Sequence, residues 1–126
     1  DVPFDINCSW GAWNAGMLSA STVENAVFIG KTNVWGAGGN EIYKYAAGNP
    51  ASLQTPFITI PAGRELIGAA VRYNPGNNTV VVTDVKSGYG QNYADNALYI
   101  YDASSGALQK TVAYTGFFFP ALPAFN

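Results

Sequence analysis

Short runs of apolar and β-branched residues, separated by Gly, Asn and Pro, follow one another along most of the chain. Several runs alternate apolar and polar positions, which is typical of strands with one buried face, whereas 80–82 is uniformly apolar and indicates burial on both faces. Helical periodicity is nearly absent, so a helix is expected at most as one turn near 50–53. The pattern predicts an all-β chain with strands at 26–29, 41–45, 56–60, 68–73, 79–83, 97–101 and 110–114.

The runs recur along the chain at nearly one offset. Residues 27–30 match 80–83, and residues 40–45 match 96–101. Several independent matches at a near-constant offset indicate an internal repeat, whose period here is a little over 50 residues.

One period carries four predicted strands. In the second copy they are 68–73, 79–84, 96–101 and 109–114. Tight turns are expected for the first and third links, and a long loop, 85–95, for the second. Four antiparallel strands in about 50 residues are typical of one β-propeller blade, whose inner strands are covered by neighbouring blades. This architecture accounts for the apolar run at 80–82.

Composition and charge restrict the chemistry. Only 14 of the 126 residues are charged, and the chain has no His and a single Cys. A Ser-His-Asp triad, a Cys-His pair and a zinc site built on His or Cys clusters are therefore excluded. The net charge of −2 with no basic run argues against a nucleic-acid partner. No apolar run reaches the about 18 residues that a membrane-spanning helix needs.

The second copy carries motifs of a known kind. Residues 80–84 (VVVTD), 96–102 (NALYIYD), 105–108 (SGAL) and 115–116 (TG) stand in that order. They resemble one repeat of the YVTN/YncE-like β-propellers, and the loops resemble those of large Bacteroidetes surface or periplasmic propellers, many of unknown function. The first copy departs from the pattern, with Gly30 and Ala46 in place of Asp84 and Asp102. The resemblance implies a propeller fold and no particular chemistry.

Two blades do not close a ring, since propellers have about four to eight. We divide the chain into the end of a preceding blade (1–15), two blades (16–63 and 64–116) and a closing or next-blade strand (117–126). The preferred interpretation is a segment of a larger propeller. Two alternatives are a ring assembled from several two-blade protomers and a small β-sandwich of the two repeats.

The best candidate site is the long loop 85–95 with its first-copy equivalent, 31–39, because both lie on the same face of a propeller. Each places an aromatic residue beside Gly, and an aromatic face stacks on sugar rings while amides bond the hydroxyls. The alternative is that these aromatics, and a second cluster at 10–13, fill the seams between blades. The candidate ligand-binding residues are Trp35, Tyr89, Asn92 and Tyr93, together with Trp10 and Trp13.

Two aspartates bracket the long loop. Asp84 and Asp95 are weak candidates for a calcium site, which needs about six to eight oxygen ligands. The preferred interpretation of Asp84 is a strand-end residue that caps backbone groups of the loop, and Asp102 is expected to begin a turn. No pair of carboxylates has the arrangement of a glycosidase, so no catalytic residue and no cofactor are predicted. Val81 lies in the apolar run that is expected to be buried between blades. The charge introduced by Val81→Asp is therefore expected to have no partner and to prevent folding.

These observations predict a non-catalytic β-propeller segment that serves as a binding or scaffolding surface. Its partners would be the remaining blades and a glycan or surface protein. The apolar, Gly-, Asn- and Tyr-rich, Lys-poor composition favours an exported bacterial protein, in the periplasm or on the cell surface. The alternatives are an oligomeric sugar-binding lectin and a fragment of a propeller hydrolase or lyase with its active residues elsewhere.

Overall fold

The computed structural model describes residues 18–31, 37–67, 70–86, 96–114 and 123–126. No helix among these residues is long and apolar enough to cross a membrane. A single 3-10 helix spans Pro50–Gln54 in the described part. The strands are β1 (Leu18–Ser21), β2 (Ala26–Lys31), β3 (Ala37–Gly39), β4 (Glu41–Ala46), β5 (Ile58–Thr59), β6 (Arg64–Ile67), β7 (Val71–Asn74), β8 (Thr79–Lys86), β9 (Asn96–Asp102) and β10 (Leu108–Tyr114).

The first sheet is an antiparallel meander in the order β1-β2-β4-β5. Its β1–β2 turn closes with Ser21 opposite Ala26, and the Ser21 hydroxyl accepts a hydrogen bond from the Glu24 N–H at 3.0 Å. The predicted strand at 56–60 is shortened to Ile58–Thr59. The predicted helical turn is confirmed as the 3-10 helix, which has Pro in its first turn, where no N–H donor is needed.

The second sheet repeats the first. Strands β7, β8, β9 and β10 pair antiparallel in that order, with Asn74 opposite Thr79 and Thr79 opposite Asp102. The predicted all-β fold, with two four-stranded antiparallel sheets, is confirmed.

The repeat extends to the backbone of the turns. Asn25 and Asn78 occupy equivalent positions, immediately before β2 and β8, and have φ angles of +48° and +53°. Asn tolerates this left-handed conformation better than most residues, which explains its recurrence. The pairs Ser21–Ala26 and Asn74–Thr79 also coincide in register. Strand β1 is therefore the counterpart of β7, although its own sequence did not predict a strand.

Two short strands that the sequence analysis missed lie beyond the meander. Strand β6 pairs with the end of β8, with Arg64 opposite Lys86, and β3 pairs with β6. Strand β3 occupies the last residues of the segment predicted as the first-copy loop, 31–39, so that prediction is wrong for Ala37–Gly39. The two repeats are thus joined by backbone pairing where β2 and β8 end. We call this end of the sheets the loop end, and the opposite end, with turns 22–25, 75–78 and 103–105, the turn end.

The main hydrophobic core lies between the two sheets. Phe28 is fully buried there. The centroid of its ring lies 6.0 Å from that of Tyr73 and 5.9 Å from that of Phe57. Lys44 lies above the Phe57 ring at 4.9 Å and donates to the Ala103 carbonyl at 2.7 Å. The other members of this core include Ile42, Ile58, Val71, Val80, Val82, Tyr99 and Tyr101.

The two sheets contribute opposite faces to this core. The first sheet uses Phe28 and Ile42, whereas the second uses Val82 and Tyr99. In register, Phe28 is the counterpart of Val81, and Val82 is the counterpart of Ile29. Neighbouring residues of a strand point to opposite faces of the sheet. One face of the first sheet therefore packs against the opposite face of the second, which we call a head-to-tail relation. A two-fold axis would instead bring equivalent faces together.

Candidate functional site

Asp84 lies near the end of β8 at the loop end and is completely buried. Its carboxylate forms a bidentate ion pair with Arg64 of β6, at 2.9 Å from Nε and 2.7 Å from Nη2. The same carboxylate accepts the backbone N–H of Ala97, in β9, at 3.0 Å. Bidentate Arg–carboxylate pairs fix geometry as well as charge. Asp84 therefore joins three strands at the base of the long loop.

Tyr99 completes the surroundings of this carboxylate. Its hydroxyl hydrogen-bonds to Asp84, and its pKa is raised, first by burial and then by that bond to the negatively charged group. Burial, followed by the charge of Asp84, also raises the pKa of Tyr101 to about 12. Both phenols therefore stay neutral to a higher pH than an exposed tyrosine does.

The structure clarifies the role of Asp84 in part. Asp84 does accept a backbone N–H, but that of Ala97 in β9 and not one of the loop, and its main partner is Arg64, which the sequence does not reveal. No cluster of three or more His, Cys, Asp or Glu residues suited to a metal lies among the described residues. The other residues predicted at the site, Trp10, Trp13, Trp35, Tyr89, Asn92, Tyr93 and Asp95, lie outside the described residues.

A second polar cluster, at the turn end, connects the two sheets. Glu24 pairs with Lys44 at 2.8 Å through one carboxylate oxygen. Its other oxygen accepts hydrogen bonds from the Asn78 amide and the Ser104 hydroxyl, both at 2.6 Å. Asn78 also accepts the Tyr73 hydroxyl at 2.9 Å. The cluster therefore holds three turns of the two repeats together.

This cluster could not be predicted from the sequence, because Glu24 and Ser104 are far apart in the chain. Asp102 was expected to begin a turn, and its Oδ1 accepts the N–H groups of Ser105 at 2.7 Å and Ser104 at 3.1 Å. These bonds, with that of the Ser105 hydroxyl, lower the pKa of Asp102. Its role in beginning the turn is confirmed.

Glu24 makes the stability of the contact between the two sheets depend on pH. Hydrogen bonds from Lys44, Ser104 and Asn78 lower the pKa of Glu24 from 4.5 to about 2. A lowered pKa in the folded state stabilises the fold above pH 4.5, and this contribution is lost as the pH falls towards 2. The contribution is therefore fully present at neutral pH.

We expect Glu24→Gln to lower the free energy of unfolding at pH 7 by about 1.5 kcal/mol, because charged hydrogen bonds and an ion pair are weakened. The difference between the variant and the wild type should shrink as the pH falls from 4.5 towards 2. Urea denaturation at several pH values measures it. A difference that stays constant over this range would show that the Glu24 charge does not stabilise the seam. Glu41→Gln, on β4, is the control.

Comparison with known proteins assigns the chain to a family. All residues of the chain, 1–126, match the family described as Domain of unknown function (DUF5074), and the chain belongs to this family. No curated protein matches the chain.

A solved structure with a similar fold is that of a "Quinonprotein alcohol dehydrogenase-like protein" from Bacteroides thetaiotaomicron VPI-5482. The TM-score is 0.58 and the identity 25%, over 76% of this chain. The match covers 20% of that protein, so this chain spans about a fifth of its length. The likeness supports a propeller-like fold for the two sheets.

Proposed function

We propose that the chain is a non-catalytic segment of an exported, YVTN/YncE-like β-propeller that presents the loop end to a glycan or a surface protein. The observation that carries this proposal is the buried Asp84–Arg64 pair. It fixes the last residues of β8 and, through Ala97, the first residues of β9. The two strands that flank the loop are thus held relative to each other, and preorganised attachment points lower the entropic cost of binding.

The pairing of β3 with β6 supports the same proposal. Through these strands the last residues of the first predicted loop, Ala37–Gly39, are paired with β6, which in turn pairs with the end of β8. Residues carried by the two loops would therefore act as one surface. Trp35 and Tyr89 are the aromatic residues that we assign to it.

The scaffolding part of the proposal rests on the head-to-tail relation of the sheets. Val81 and Leu98 of the second sheet are the counterparts of Phe28 and Ile42, which cover the neighbouring sheet. On that outer face Leu98 is half-buried and Val112 is 40% exposed. We assign this face to a further four-stranded repeat of the same type, the next blade of the ring.

The alternative is a sugar-binding lectin, which would use the same loop surface. An enzymatic role is a separate candidate, favoured by the name of the structural neighbour, an alcohol dehydrogenase-like protein. In that case the reactive groups would lie in other repeats of a longer protein. Substitution of Trp35 or Tyr89 by Ala would then leave any binding of glycans unchanged.

A glycan array with the full-length protein tests the proposal. We expect Trp35→Ala and Tyr89→Ala each to weaken binding at least about tenfold, because stacking of an aromatic side chain is lost. Phe125→Ala is the control, since Phe125 is an exposed aromatic residue outside both loops. Binding that both loop variants retain would contradict the assignment of the surface, and so would binding that the control loses equally.

A further inference from the structure

An open cleft of about 370 Å³ lies where the edges of the two sheets meet. Its walls come from β1 and the residue after it, and from β7 and the turn that follows. The two edge strands are tied together, because the Tyr73 N–H donates to the Ser19 hydroxyl oxygen at 2.8 Å. The cleft is thus part of the contact between the two sheets, and Thr22 and Pro75 place it at the turn end.

The cleft has one charge among the described residues that line it. Arg72 is exposed and has no ion-pair partner in the described part of the chain, whereas Lys44 and Arg64 are both paired with carboxylates. None of the described lining residues is acidic. In a chain of net charge −2, an arginine left unpaired in a concave site is a binding group for an anion.

The remaining lining residues specify the rest of the ligand. Ser19 and Thr22 supply hydroxyl groups, and the Ser19 hydroxyl still has its hydrogen to donate because it serves Tyr73 as an acceptor. Leu18 and Pro75 add apolar surface, and Leu18 is 44% exposed. A bare inorganic anion would leave this apolar surface without contact.

We propose that the cleft binds a small organic carboxylate. Arg72 receives the carboxylate through its planar pair of N–H donors, the Ser19 and Thr22 hydroxyls donate to it or to neighbouring oxygens, and Leu18 and Pro75 contact the carbon skeleton. The site lies away from the loop end, so it stands or falls separately from the proposed glycan or protein surface. It requires the next blade to leave Arg72 accessible, since Arg72 lies opposite Val81 on β7.

Isothermal titration calorimetry on the full-length protein tests this site. The probes are sodium benzoate and sodium glucuronate, with benzamide and glucose as neutral analogues and sodium sulfate as the inorganic anion. We expect saturable binding of at least one carboxylate, and at least about tenfold weaker binding to Arg72→Gln, because a charge-assisted pair is lost. Arg72→Lys should bind with intermediate affinity.

The control is Lys110→Gln, which removes the same charge from an exposed residue of β10, outside the cleft. It should bind the carboxylate like the wild type. Three results would overturn the proposal: no binding of either carboxylate, equal losses in Arg72→Gln and Lys110→Gln, or sulfate bound as tightly as the carboxylates. Since Arg72 is exposed, the variants are expected to fold, and unchanged thermal midpoints would establish it.

Discussion

Val82→Asp is expected to prevent the chain from folding. Val82 is fully buried in the core between the sheets, with Val71 opposite it on β7 and Tyr99 opposite it on β9. No described cation lies beside it in the strand register, so the carboxylate would be buried without a partner. An unpaired buried charge costs several kcal/mol, which is comparable to the about 5–15 kcal/mol of total stability of a typical domain. Soluble yield and urea denaturation measure the effect.

Val81→Asp is the matched control, because it places the same charge one residue earlier on the other face of β8. Val81 is only 4% exposed, yet Arg72 lies directly opposite it on β7. A carboxylate at position 81 would therefore face a cation across the strand pair, and Val81→Asp should lose less stability than Val82→Asp. A soluble, fully stable Val82→Asp, or the reverse order of the two variants, would contradict the assignment of the inner face.

Asp84→Ala is expected to lower the free energy of unfolding by about 3–5 kcal/mol. The substitution removes the buried carboxylate that pairs with Arg64, and breaking one side of a buried pair costs this much. It also leaves the Ala97 N–H and the Tyr99 hydroxyl without their acceptor. Chemical denaturation of the purified variant gives the value, and ligand binding at the loop end should weaken with it, since the base of the loop is no longer fixed.

Two further variants separate the loss of the Asp84–Arg64 pair from the loss of a carboxylate elsewhere in the fold. Arg64→Lys keeps the positive charge but not the bidentate geometry, so it should lose less stability than Asp84→Ala. Asp102→Ala removes a carboxylate that bonds only its own turn, and it should leave binding at the loop end unchanged. If Asp84→Ala were no more destabilising than Asp102→Ala, the pair with Arg64 would not hold the loop end together.

Much of the fold could be predicted because it depends on local patterns. The apolar run at 80–82 and the alternation at 97–101 locate β8 and β9, and the repeat supplies their counterparts. Strands β3 and β6 could not be found in this way. Their sequences, AGG and RELI, have little strand pattern, and they form only because non-local pairing at the loop end completes their hydrogen bonds.

The site could be predicted less completely than the fold. Asp84 was identified from its position at a strand end, but its partner was not, since a sequence does not show which of the few cations reaches it. The same reason hides the cluster around Glu24, where contacts join turns of different repeats. Arg72 could not be singled out, because its place in the cleft depends on how the edges of the two sheets meet.

An experimental structure of the full-length protein tests the central claim most directly, namely that these sheets are consecutive blades related head to tail. We predict a further four-stranded antiparallel sheet on the outer face of the second sheet, covering Val81, Leu98 and Val112 as the second sheet covers Phe28 and Ile42. An outer face left open to solvent, or covered by an element other than such a sheet, would contradict the claim.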